Sequence, residues 1–168
     1  MNRKESYLTL AKYHQWATQK VLEHLKPVSD EDYYADKGLF FKSIHGSLNH
    51  ILLVDKIWYG RFTGNLFEFK SLAQQVIEKR EDMGKALHDQ ADIWIDYVKN
   101  TIDDAKLESI LSYVSSQGVP CKFPFAPFLN HAFNHGTHHR GQISTAISQL
   151  GFAVPEMDIP YYLMATSK

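Results

Sequence analysis

The stretch "HAFNHGTHHRGQ", residues 131–142, carries four of the nine histidines of this 168-residue chain. Apolar residues within and after the stretch recur at helical spacing, and Pro127 is suited to a first helical turn. Gly151 is suited to the position just past a helix. We therefore predict a helix from Pro127 to Leu150 with one face in the core.

Three of these histidines form a stripe along the predicted helix. His131, His135 and His139 follow one another at intervals of one turn. Two imidazoles at i and i+4 can reach the same ion, so His135 and His139 are the pair that most strongly indicates a metal site. The alternative is a solvated or capped cluster, but burying an unpaired imidazole is costly. His131 is the candidate for a fourth ligand that would close the site.

A second histidine-bearing helix is predicted upstream. Residues 44–59 are apolar around most of a helix circumference, which indicates a largely buried helix with Ser43 as N-cap and an end near Phe62. His45 and His50 lie on it about 140° apart, and spacing does not choose between them as the third ligand. The histidines of the other helices are expected on the surface: His14, His24 and His88.

Other segments complete the expected fold. Apolar spacing predicts a helix over residues 3–26, and a capping-box pattern at Ser71 predicts another over residues 71–100. Alternating β-branched and aromatic residues predict a small hairpin within residues 106–125. The expected fold is all-α: a four-helix bundle with a hairpin-like insertion before the last helix, forming a single domain over residues 1–168.

Charge and cysteine content exclude several classes of protein. The chain has 18 basic and 19 acidic residues, which are interspersed, so we expect no nucleic-acid partner. The most apolar run, "ILLVDKIW", is interrupted by Asp55 and Lys56, so we expect no membrane span, and the N-terminus has no signal-peptide pattern. The single Cys121 cannot form an internal disulfide, which fits a reducing compartment. We therefore expect a cytoplasmic protein.

Other catalytic motifs are absent from the sequence. The zinc-protease pattern HExxH fails because Gly136 follows His135, and no Glu-x-x-His pairs of the di-iron kind occur. There is no paired CxxC, P-loop, GxGxxG or GxSxG. Cys121 beside Pro120 is interpreted as a packed or idle thiol rather than a nucleophile.

Three segments together resemble a known family. They are "YHQWAT" (13–18), "SIHGSLNHILLVDKIW" (43–58) and "HAFNHGTHHRGQ" (131–142) with "LG" shortly after it. In this order they resemble the DinB family of the DinB/YfiT-like metal-binding bundles, over nearly the full chain. The third segment is the most specific of the three.

The resemblance implies a ligand set and an architecture. Residue by residue, it implies that His50, His135 and His139 bind one divalent ion, commonly Zn²⁺ or Ni²⁺, with further positions open to water. It also implies an up-down-down-up arrangement of the four helices and a homodimer. Relatives in the wider superfamily include thiol-dependent transferases and isomerases.

Supporting roles around the ligands are also expected. The resemblance implies that His131 and His138 lie around the ligands or in a pocket, and that Arg140 and Gln142 brace the site. From its angular position, Arg140 is expected to brace the bundle or dimer rather than touch substrate. Gln142 and Tyr13 are expected in the pocket wall.

Three functional hypotheses follow. The first is a metal-dependent enzyme of S-transferase type that activates a low-molecular-weight thiol for attack on a small-molecule substrate. The second is a hydrolase in which water replaces the thiol. The third is a non-catalytic, metal-binding helical dimer of a stress response. An enzyme requires a pocket beside an open metal, whereas a structural site is closed by a fourth ligand.

Overall fold

Seven helices and one two-stranded antiparallel sheet form the described part of the chain, residues 2–115 and 117–167, in a computed structural model. In chain order the elements are α1 (Arg3–Leu25), α2 (Asp30–Tyr34), α3 (Ile44–Thr63), α4 (Arg80–Thr101), α5 (Asp104–Glu108), β1 (Ile110–Val114), β2 (Pro120–Pro124), α6 (Phe125–Gln149) and α7 (Ile159–Thr166). None of the described helices has the length and apolar character needed to cross a membrane.

The ends of α3 and α6 follow local backbone chemistry. The Ser43 hydroxyl accepts a hydrogen bond from the backbone N–H of Gly46, as predicted for an N-cap. Gly64 ends α3 with a φ of 82°, a left-handed conformation that favours glycine. Helix α6 begins at Phe125, slightly before the predicted Pro127, and ends at Gln149. These two helices, which carry the candidate ligands, are therefore close to their predicted bounds.

The third long helix begins later than predicted. Helix α4 starts at Arg80, and the segment from Ser71 to Lys79 forms only isolated turns and bends. The reason is the buried side chain of Asn49, whose Oδ1 accepts hydrogen bonds from the backbone N–H groups of Val76 and Ile77. Those donors are thereby satisfied outside a helix. The capping-box interpretation of Ser71 is wrong, because an amide distant in sequence takes the backbone groups that a helix would use.

The four long helices pack pairwise. Helices α1 and α3 each contact both α4 and α6. The predicted hairpin is confirmed: β1 pairs with β2 in antiparallel register and contacts α3 and α6. Helices α5 and α7 were not expected from the sequence pattern. The mostly helical fold with a small hairpin is thus confirmed, whereas the up-down-down-up order and the single-domain boundary stay predictions.

The two larger apolar clusters of the interior leave a polar stretch between them along α6. One cluster contains Trp58 of α3 and Phe133 of α6. The other contains Leu48 of α3 and Ile143 of α6. His135, His138 and His139 lie on the stretch of α6 between these two clusters.

We predict that Asn49→Ala lowers the free energy of unfolding by about 2–4 kcal/mol, because it leaves the partly buried N–H groups of Val76 and Ile77 unpaired. Urea denaturation measures the change. Asn100→Ala, at an exposed position near the end of α4, is the matched control and should change stability by less than about 0.5 kcal/mol. Equal losses in both variants would contradict this role of Asn49.

Candidate metal centre

Three imidazoles from two helices converge at one point. The candidate ligand atoms of His50, His135 and His139 all lie within 4.8 Å of one another. The Nε2 atom of His135 lies 3.1 Å from the Nε2 atoms of both His50 and His139. His135 and His139 meet because they are one turn apart on α6, and α3 brings His50 to them. Of the two candidates on α3, the structure places His50 in the cluster and His45 outside it.

Hydrogen bonds on the outer ring nitrogens orient two of these imidazoles. The Nδ1–H of His50 donates to the backbone carbonyl of Leu72 at 2.8 Å, and the Nδ1–H of His139 donates to Oε1 of Gln142 at 3.0 Å. In these two rings the Nε2 lone pair is then directed inward, whereas Nδ1 of His135 is buried with no hydrogen-bond partner among the described residues. A single proton cannot satisfy several converging lone pairs, but a divalent cation can. The donor set therefore fits a divalent metal ion that accepts nitrogen ligands.

Burial keeps these ligands neutral. It is the main cause that lowers the pKa of His50 to about 4 and that of His135 to about 3, and it also lowers the pKa of His139. Repulsion between the neighbouring imidazoles acts in the same direction for all three rings. At neutral pH their lone pairs are available without prior loss of a proton, as metal binding requires.

Two residues that shape this site were not identified from the sequence. Phe41 stacks on the His50 ring, with centroids 3.7 Å apart, and meets the His139 ring edge-on at 5.6 Å. Leu72 supplies the carbonyl that orients His50. Both lie in irregular segments, where no periodicity links them to a helix face. The turn at Lys42, whose φ is 66°, was likewise not predicted from the sequence.

A cavity of about 400 Å³ opens beside the three imidazoles. Its wall includes Gln142 and His138, and the side-chain amide of Gln142 donates to Nε2 of His138 at 3.1 Å. The expectation that Gln142 lines the pocket is confirmed. Tyr13 does not line it; its ring packs against Tyr162 instead, with centroids 6.0 Å apart. The α7 segment that carries Tyr162 occupies the side of α1 where Tyr13 projects.

The suggested fourth ligand lies in the cavity wall. The His131 ring centroid is 5.9 Å from that of His135, and the ring meets Trp58 edge-on at 5.2 Å. Among the described residues, the group able to share an ion contains three histidines and does not include His131. The centre therefore has an open side that faces the cavity.

A second buried polar cluster joins α1, α3 and α6, and the sequence pattern did not predict it. His14 was expected on the surface, but it is 2% exposed, beside Asp55 at 3% and Arg140 at 1%. The Nε2–H of His14 donates to Asp55 at 3.0 Å, and Nη1 of Arg140 donates to Nδ1 of His14 at 3.1 Å. Arg140 also donates to Thr18 of α1 and Thr137 of α6. Arg140 thus braces the bundle as expected, whereas the surface placement of His14 is wrong because its partners come from other helices.

The remaining candidates lie away from the centre. His45 is buried, and its Nε2 faces the Asn49 side-chain amide at 3.0 Å. His24 is half-buried and hydrogen-bonds the carbonyl of Lys20, and His88 is exposed as predicted. Cys121 is half-buried on β2.

A family model describing the DinB family matches residues 1–168. The chain belongs to the DinB family. A curated relative, Protein DinB from Bacillus subtilis (strain 168), is 30% identical over 162 residues, covering 94% of this chain and 93% of that protein. The resemblance of the three sequence segments to DinB is thereby confirmed.

A solved DinB structure supports the fold. A DinB-like protein from Bacillus cereus ATCC 10987 superposes with a TM-score of 0.66 at 22% identity, over 90% of this chain and 95% of that one. At that identity the likeness concerns the fold alone. DinB membership and the three-histidine cluster together show a site that could hold a metal ion.

We predict that replacing His50, His135 or His139 with alanine lowers bound metal from about one ion per chain to near zero, because two remaining imidazoles hold an ion much more weakly. Mass spectrometry of protein purified without a nickel column measures the metal content. His88→Ala is the matched control, since His88 is an exposed histidine on α4. Full metal occupancy in His50→Ala would remove His50 from the ligand set.

We also predict that Asp55→Ala lowers the free energy of unfolding by about 3–5 kcal/mol, because it leaves the buried Nε2–H of His14 without its acceptor and removes a negative charge that acts on the buried Arg140. Chemical denaturation measures the loss. The control is Asp89→Ala, which breaks an exposed pair with Lys85 and should cost less than about 1 kcal/mol. A loss below about 1 kcal/mol for Asp55→Ala would contradict the role of the cluster of His14, Asp55 and Arg140 in bracing the helix bundle.

Proposed function

We propose that this DinB protein is a metal-dependent enzyme of S-transferase type, which activates a small thiol with one Zn²⁺ or Ni²⁺ ion at His50, His135 and His139. The observation that carries the proposal is the open side of the cluster. Three inward-directed nitrogens stand at the wall of a 400 Å³ cavity, and no fourth ligand joins them in the described chain. Three protein ligands with an open position are typical of catalytic rather than structural metal sites.

The ion would supply a positive charge that lowers the pKa of a coordinated thiol or water, and three neutral imidazoles leave that charge undiminished. The protein's own contribution is orientation. The Leu72 carbonyl and Gln142 hold His50 and His139 in a fixed tautomer. The ring of Phe41 covers His50 and limits the approach of water from that side.

The cavity wall provides binding and a proton acceptor. Apolar side chains such as Val54 and Ile57 line it and can hold the carbon skeleton of a substrate. Burial, followed by the nearby charge of Arg61, lowers the pKa of His131, so this ring is neutral at pH 7 and can accept the thiol proton. The thiolate sulfur would then form a bond to an electrophilic carbon, and the leaving group would depart with the electron pair of the broken bond.

Other expected properties accompany this proposal. We propose a cytoplasmic homodimer with the four long helices in up-down-down-up order, acting on small molecules and not on nucleic acid. The non-catalytic metal-binding dimer remains the alternative. It requires a closed coordination shell, and the distance of His131 from the three-histidine group supports the open one.

We expect metal-loaded protein to accelerate the reaction of cysteine or 3-mercaptopropionate with 1-chloro-2,4-dinitrobenzene by at least about tenfold over metal-free protein, because the thiolate fraction rises. Absorbance of the dinitrophenyl thioether measures the rate. His139→Ala should match the metal-free rate, and His88→Ala should match wild type. Equal rates for all four proteins, together with a fourth histidine detected by X-ray absorption spectroscopy, would favour the binding protein.

The same four protein samples distinguish the hydrolase hypothesis from the transferase proposal. If water is the activated group, 4-nitrophenyl acetate is cleaved at a rate that depends on metal and on His139, while added thiol has no effect. That result would replace the transferase proposal with hydrolysis.

A further inference from the structure

The guanidinium of Arg61 lies in the cavity wall without an acidic partner among the described residues. Its central carbon is 4.6 Å from the ring centroid of Trp58 and 4.5 Å from that of Tyr113. Arg3 and Arg80, by contrast, form ion pairs with carboxylates. None of the ion pairs found within residues 2–115 and 117–167 involves Arg61.

The surroundings of Arg61 leave its charge uncompensated. The residue is partly buried, and burial is the main cause that lowers its pKa. The neighbouring groups that act in the opposite direction are the phenol of Tyr113 and the thiol of Cys121, not carboxylates. A partly desolvated cation without a counter-ion is unfavourable, and an anionic ligand would relieve that cost.

Arg61 faces the same cavity as the metal centre, at its far end. It follows His50 by eleven positions on α3. The two residues therefore lie on one face of the helix, and their backbone positions are about 16 Å apart along its axis. Val54, Ile57 and Trp58 line the cavity on the stretch of helix between them. The cavity therefore joins a cluster of metal-binding nitrogens to a cation through an apolar wall.

The N–H groups of Arg61 are available to an anion. Its central carbon lies within 4.6 Å of the centroids of two aromatic rings, and none of the hydrogen bonds found among the described residues uses its N–H groups, which form a fork that matches the two oxygens of a carboxylate. Trp58 and Tyr113 therefore hold the fork in position without using its donors. A purely structural role, in which Arg61 only tethers β1 to α3 through these rings, is the competing explanation.

We propose that the pocket selects an elongated thiol that carries a carboxylate, with the sulfur at His50, His135 and His139, the carbon chain against Trp58, and the carboxylate on Arg61. This inference rests on the proposed function, because it names the substrate class for that same pocket. Arg61 is a specificity-determining residue in this arrangement, remote from the reacting sulfur.

The test compares probes that differ only in charge. Binding of 6-mercaptohexanoate and 6-mercaptohexanol to cobalt-substituted protein is followed through the thiolate-to-cobalt absorption band, which reports binding and not turnover. We expect wild type to bind the carboxylate at least about tenfold more tightly. In Arg61→Met, which keeps a flexible apolar stem beside Trp58, the preference should fall to within about twofold. Arg61→Lys should retain part of it.

The matched control is Arg3→Met, which removes the same charge from an exposed residue outside the cavity wall. It should keep the full carboxylate preference. Circular dichroism and metal content establish that the variants are folded and loaded. A preference that persists in Arg61→Met would place the carboxylate elsewhere, for example on the metal, and would overturn the assignment. Equal affinity of wild type for both probes would also overturn it.

A second pair of probes separates this inference from the proposed reaction. Calorimetric titration with 4-phenylbutyrate and 4-phenylbutanol tests the carboxylate preference without any thiol. If metal-dependent thiol transfer is absent but the Arg61-dependent preference remains, the transferase proposal fails and anion selection stands. If thiol transfer occurs and neither pair depends on Arg61, anion selection fails alone.

Discussion

The packing of α3 against α6 is constrained by the polar side chains buried between them. Imidazole nitrogens lie 3.1 Å apart at the centre of this contact, so the two helices are held at the distance at which one ion can bridge them. The outer nitrogens of His50 and His139 have hydrogen-bond partners that offset the cost of burial, whereas Nδ1 of His135 is buried with none among the described residues. Apolar clusters on both sides then fix the register of the helices.

The cluster of His14, Asp55 and Arg140 extends that constraint to α1. A β-carbon at Gly136 would lie 2.5 Å from Cε1 of His14 and 2.9 Å from Nη1 of Arg140, so only glycine permits this close approach. Gly136 directly follows His135, and the same short stretch of α6 therefore serves both polar layers. The cost of glycine inside a helix, about 1 kcal/mol, is offset by the buried network that it admits. Stability and ligand placement are consequently coupled in α6.

The chemistry of the cavity depends on which side chains have hydrogen-bond partners within the protein and which do not. His50 and His139 have outer partners that direct their remaining lone pairs inward. Arg140 donates hydrogen bonds to His14, Thr18 and Thr137, whereas Arg61 lies against the rings of Trp58 and Tyr113 and makes no hydrogen bond to a described residue. This contrast assigns the first arginine to architecture and the second to ligand recognition. Because the histidine cluster and the Arg61 cation lie at different places in the cavity wall, a ligand that contacts both would bind in one orientation.

The sequence by itself determined the elements whose signals are local. The i, i+4 spacing of His135 and His139, the Ser43 cap and the alternation within the hairpin needed no tertiary information, because turns of helix and strand pleats repeat at fixed intervals. Resemblance to DinB was required to favour His50 over His45, since both lie on a buried helix. Tertiary structure decided the rest. Asn49 keeps residues before Arg80 out of α4, and partners 41 and 126 positions away bury His14. Such contacts join residues with no fixed spacing, so no local pattern encodes them.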